Sequence, residues 1–137
     1  MIQRVQTIWL LLASLFAFLT LKFPFYIIAG TLGLSAPIEF NATSRTFLLM
    51  LTSILGALCF IIIFLFKQRK LQMKLCLLSL LISLVNIYLY FNFIKEYTVG
   101  GLSIFSVFTF LIPVFILLAI RGIYKDQKLI RSVDRIR

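Results

Sequence analysis

The sequence predicts an all-α integral membrane protein. The expected architecture is an antiparallel four-helix transmembrane bundle, N-in/C-in, with room for short extracytoplasmic β-strands and an amphipathic C-terminal helix. Three observations lead there. The chain is 62% hydrophobic and 13% charged, against roughly 45–50% and 25% in soluble domains. Its charges are excluded from four long stretches. The charges that remain are shared unequally between alternate loops.

The four stretches set the spans. No Asp, Glu, Lys or Arg falls in 5–21, 46–66, 75–94 or 97–120. A helix of about 20 residues covers the roughly 30 Å hydrocarbon core. The first stretch is slightly short and the last has residues to spare, which gives spans at 5–21, 46–66, 75–94 and 99–120. Residues 1–137 then form a single four-helix transmembrane domain with a cytoplasmic tail at 121–137. Arg4 followed by an apolar run resembles a signal peptide, but no small-x-small cleavage site precedes Lys22. The first helix therefore reads as uncleaved.

The connection 22–44 is the longest. Its "FPFYIIAGTLGLSAPIEFN" is apolar but interrupted by Gly30, Gly33 and Pro37, too often for another span. Phe23, Phe25 and Tyr26 suit an outer aromatic belt. "IEF" after Pro37 reads as one short strand. "KEYTVGG" could supply a second, since Thr98 and Val99 favour strands. A small sheet over the bundle follows. The loop "KQRKLQMK" is tight and makes the second and third helices antiparallel neighbours.

Orientation follows from the bases. Arg4, the loop 67–74 and the tail share one side and hold eleven of the fourteen Lys and Arg residues; Lys22, Arg45 and Lys95 hold the other. The positive-inside rule places both termini in the cytoplasm of a bacterial inner membrane. That face attracts anionic phospholipids, at about 1 kcal/mol per base near the surface.

Composition also argues against chemistry. The two Glu and two Asp lie near the faces, and the chain has no His. Cys59 and Cys76 belong to no C-x-x-C pair, so they read as reduced structural cysteines. Intramembrane catalysis or coupled transport usually needs ionisable groups inside the spans. The expectation is no enzyme, no cofactor, no metal site and no DNA partner.

Weak polar groups do fall in register. Ser79, Ser83, Asn86 and Tyr90 share one face of the third helix; Ser106, Thr109 and Pro113 share one face of the fourth. Pro113 has no N–H, so the Thr109 carbonyl loses its helical donor. Asn86 and Thr109 both sit about 17 Å deep, and Gly56 at a similar depth permits close approach. Asn86, Thr109 and Pro113 are thus expected to form a structural polar cluster, with the Asn86 amide bonding to the fourth helix. The other reading is a polar substrate site.

The tail is periodic. At 100° per residue, Arg121, Lys125, Lys128, Arg131 and Arg135 fall within an arc of about 120°. Ile123, Leu129, Ile130, Val133 and Ile136 occupy another of about 140°. This is a basic amphipathic helix, expected along the membrane interface or a partner. Asp126 interrupts the apolar arc, and an ion pair with Arg4, Arg69 or Arg137 would explain it.

"MIQRVQTIWLLLA" at the start, "KQRKLQMKLC" between the second and third helices and "LAIRGIYKDQKLIRSVDRIR" at the end resemble a family of small four-span bacterial membrane proteins known as a domain of unknown function. The resemblance runs the length of the chain. It implies a four-helix inner-membrane fold and carries no activity or functional residues. The segments that carry it are all cytoplasmic by the charge count, and the outer loop departs from the pattern.

The function expected from these readings is a non-enzymatic accessory or structural subunit of a larger inner-membrane complex. Its contacts with partner or lipid would be Arg4, Lys67, Arg69, Lys70, Lys74, Arg121, Lys125, Lys128, Arg131 and Arg135. Protein-export machinery is the first partner class, because a basic cytoplasmic tail could meet a translocon or a ribosome. The alternative is a small lipid- or solute-handling carrier.

Overall fold

A computed structural model describes residues 5–28, 38–65, 68–97 and 100–134, with side chains through Lys128. Four helices long and apolar enough to cross a membrane make up most of it. They are α1 (Val5–Lys22), α2 (Thr46–Phe64), α3 (Arg69–Ile94) and α4 (Val107–Asp134). Strands β1 (Tyr26–Ile28), β2 (Ile38–Phe40) and β3 (Gly100–Leu102) join the connections at one end. Each helix packs on the next, and α4 closes the ring against α1. One end of the bundle carries the starts of α1 and α3 and the ends of α2 and α4, here the terminal end. The other is the sheet end.

The polarity of α3 is inverted relative to a helix of a soluble bundle. The buried residues of α3 are Gln72, Cys76, Ser79, Ser83, Asn86 and Tyr90, a four–three spacing with no aliphatic side chain in it. Its exposed residues include Leu77, Leu81, Leu84 and Val85. Lipid tails are as apolar as leucine, so burial in the bundle selects for small size and hydrogen bonding rather than for oiliness. α1 and α2 mix small and aliphatic residues in their seam, with Ala13, Ser14 and Ala17 against Leu55, Gly56 and Cys59. The Ser14 hydroxyl donates to the Gly56 carbonyl across this seam at 3.1 Å.

The α1–α4 seam is closed by aromatic rings instead. Trp9, Phe16 and Phe23 stand at heptad spacing on α1 and its C-terminal edge. Trp9 and Phe16 stack on Phe115 at 5.8 and 5.3 Å, Phe16 on Phe108 at 5.1 Å, and Phe23 on Phe105 at 4.6 Å. A seven-residue step keeps side chains on one side of a helix over two turns, so the rings form one ladder along the seam.

The sheet has β1 at its centre, antiparallel to both neighbours. Tyr26 pairs with Phe40 on one side and Leu102 on the other. Phe25 precedes β1 and ties both edges. Its N–H donates to the Phe40 carbonyl at 2.8 Å, and its carbonyl accepts from Ser103 N–H at 3.0 Å. Its ring stacks on Tyr90 at 4.3 Å.

Several expectations change here. Ile38–Phe40 is a strand as expected, but the second falls on Gly100–Leu102, and Thr98 and Val99 lie outside the described residues. Tyr26–Ile28 is a third, central strand. Phe25, just before β1, and Tyr26, its first residue, are buried at the sheet end rather than exposed as belt residues. α3 begins at Arg69 rather than at 75, so most of the basic loop is its first two turns. The fourth helix begins at 107 rather than 99 and runs unbroken to Asp134. The described part of the tail is therefore an extension of the span, not a separate helix lying flat on the interface.

Candidate functional site

Two features carry the polar chemistry: the basic terminal end and the buried polar column. At the terminal end, Lys70 and Lys74 of α3 and Arg121, Lys125 and Lys128 of α4 are exposed, and Arg69 is half-buried. The Gln127 side-chain amide approaches the Arg69 carbonyl at 3.5 Å, which brings the first turn of α3 level with this stretch of α4. Ile123, the first apolar-arc residue, is fully buried with Leu10, Ile62, Cys76 and Ala119. The start of the tail is thus held by the bundle itself. Arg131 lies in α4 with its side chain outside the described set, and Arg4, Lys67 and Arg135 lie outside the described residues altogether. The apolar-arc positions beyond Ile123 are in the same situation.

Asp126 is half-buried, and among the described residues it makes no ion pair. Arg69 is not its partner; Arg4 and Arg137 fall outside the description. The ion pair that does form is Arg45–Glu96 at 2.6 Å, on the sheet end, with the Arg45 guanidinium 5.3 Å from the centre of the Phe93 ring. Both side chains are about half exposed, so the pair contributes about 0–1 kcal/mol. A sequence signal existed. Arg45 stands just before α2 and Glu96 just after α3, opposite charges bracketing an antiparallel pair of helices.

The polar column differs from expectation at its centre. The Asn86 amide donates to the Thr52 hydroxyl of α2 at 3.1 Å, and that hydroxyl lies 3.5 Å from the Asn86 carbonyl oxygen. It does not turn to Thr109 on α4. The Thr52 hydroxyl supplies the lone pair that this amide uses. The carbonyl that Pro113 frees offers a lone pair only. Thr109 and Pro113 are buried in α4, which continues through the proline. The Ser79 and Ser83 hydroxyls return to carbonyls of their own helix, at 2.9 and 2.7 Å. Extending the same spacing toward the terminal end adds Cys76 and, beyond the charged residue Lys74 that bounds the predicted span, Gln72. The Gln72 amide donates to the Ile62 carbonyl at 3.2 Å.

Asn86→Leu is expected to lower the thermal stability of the detergent-solubilised protein by about 1 kcal/mol. The double change with Thr52→Val should cost little more than the single one, because the same bond is lost. Independent, additive losses would rule out the pairing.

The fold and the polar column define a class: a four-helix transmembrane bundle with a polar inward face on α3, capped by a three-stranded sheet. The chain belongs to the family described as Domain of unknown function (DUF4293), whose model matches residues 2–136. No curated protein and no solved structure gives a significant match.

Proposed function

We propose that the chain is a non-enzymatic accessory subunit of a larger complex in a bacterial inner membrane, with both termini in the cytoplasm. The observation that carries this is the terminal end itself. α4 leaves the span without a break and presents Arg121, Lys125 and Lys128 to solvent beside Lys70 and Lys74 of α3. A continuous helix holds its bases in fixed register and lifts the later ones off the membrane, by about 1.5 Å per residue. An acidic surface on a partner protein could meet them all, and protein-export machinery is the first class to test. The carrier reading rested on a polar site at Asn86. That side chain is 1% exposed and occupied by Thr52, which favours a structural role.

The test is recovery of partners with the full chain after gentle solubilisation, compared with a variant carrying Arg121→Glu, Lys125→Glu and Lys128→Glu. Loss of a partner at low salt in the variant, and in the parent as salt is raised, is the expected result. Unchanged recovery would overturn the proposal. Cysteines introduced at Lys70 and Lys95 should react with an impermeant reagent only at Lys95 in spheroplasts, and the reverse would overturn the orientation.

A further inference from the structure

We infer that the terminal end of the bundle contains a binding site for a single internal water molecule, held between Gln6 of α1 and Gln72 of α3. Both side chains are almost fully buried, at 3% and 1% exposure. Both carbonyl oxygens, Gln6 Oε1 and Gln72 Oε1, accept no hydrogen bond from the protein. They are two of only three such buried atoms among the described residues; the third, the Tyr90 hydroxyl, is on the sheet side.

Helix register places the two glutamines within about one turn of each other along the bundle axis. Ser14 faces Gly56, so Ile62, which accepts from Gln72, is level with about residue 8 of α1 in an antiparallel pair. By the other route, Gln127 faces Arg69. Gln72 is then level with about residue 124 of α4. Gly122 of α4 lies against Gln6, where an added Cβ would come within 3.2 Å of the Gln6 Cβ. That puts Gln72 level with about residue 4 of α1. The two routes bracket Gln6. Each glutamine also stands one turn beyond a residue of the same apolar layer: Leu10 for Gln6, Cys76 for Gln72.

The ligand class follows from the atoms. A buried acceptor without a donor is strongly disfavoured, and one small donor that reached both oxygens would satisfy both. Turning the Gln72 amide over would set its oxygen against the Ile62 carbonyl, so its orientation is fixed by that bond. A metal cation or ammonium could satisfy the oxygens. It would stand among Arg69, Lys70, Lys74, Arg121, Lys125 and Lys128, with Asp126 as the one acid whose side chain is described there. Water donates two hydrogen bonds and adds no charge, and buried waters typically bind two to four polar groups in this way. It would tie together helices that sit diagonally across the bundle.

The experiment uses the full chain, isotope-labelled on glutamine side-chain nitrogens, in lipid nanodiscs. Nuclear Overhauser cross-peaks from a long-lived water to the amide protons of both Gln6 and Gln72 are expected. Gln6→Met and Gln72→Met should each lower the melting temperature by on the order of 4 °C. The double variant should fall by less than the two combined, because it removes both acceptors and leaves nothing orphaned. Absence of the water cross-peak at either glutamine, or strictly additive losses, overturns the site. A shift of the glutamine resonances with added sodium or potassium would assign it to a cation instead.

Discussion

Phe25→Ala is expected to destabilise the folded protein by about 3–5 kcal/mol, the range for removing a large buried aromatic side chain. The ring is 2% exposed. It stacks on Tyr90 and meets Phe91 edge-on and Phe110 at a tilt. With Phe40, which also meets Tyr90 edge-on, it joins the sheet end to the helices, and it alone of the two reaches Phe110 of α4. The backbone bonds from Phe25 to Phe40 and Ser103 do not need the ring, so the strands should persist while their anchorage loosens. Phe23→Ala is the control. That ring is only half-buried and stacks on Phe105, itself exposed, so its loss should cost markedly less. Thermal unfolding in detergent, followed by near-ultraviolet circular dichroism of the aromatic residues, measures both. Equal effects of the two changes would mean that the cap is not anchored through Phe25.

Much of this arrangement was legible from charge and spacing alone. The charge-free stretches locate four helices because an unpaired charge in hydrocarbon is costly whatever the fold. The register of Ser79, Ser83, Asn86 and Tyr90 marks the inward face of α3 because small and polar groups are what helices in lipid pack together. The same rule hid the ends of the helices. Lys70 and Lys74 look like loop residues when charge is used to mark boundaries, yet a helix can run past the hydrocarbon into water, and α3 and α4 both do.

Partner choice was harder to see. Asn86 and Thr109 stand at similar depths, and depth cannot tell a neighbour on α2 from one on α4. The bond that the Asn86 amide donates to Thr52 shows that this side chain faces α2. The central strand was obscured because "FYII" reads equally well as an interfacial apolar segment, and only pairing with two neighbours makes it a strand.

Gly100→Val is expected to detach β3 from β1, at a cost of about 1–3 kcal/mol or somewhat more, as for overpacking a filled site. A Cβ at Gly100 would lie 2.5 Å from the Ile27 carbonyl oxygen and 2.5 Å from Cε1 of the Tyr26 ring. Neither neighbour can yield cheaply. The oxygen is backbone within the central strand. The ring is buried, and Tyr26 is paired with Phe40 and Leu102. Gly100 is therefore what lets an aromatic side chain lie against the strand, an arrangement known to protect glycine at sheet edges. Gly101 supplies the internal comparison. It sits opposite Ile27 in the register, and an added Cβ meets nothing within 4 Å. Valine suits strands better than glycine, so Gly101→Val should be neutral or mildly stabilising. Amide hydrogen exchange at Leu102 and Ser103 separates the two cases. Exchange at Ser103, whose N–H donates to Phe25, should accelerate in Gly100→Val and remain slow in Gly101→Val. If both variants exchange alike, the tight contact at Gly100 does not hold the third strand, and the cap depends on Phe25 and the β1–β2 pairing alone.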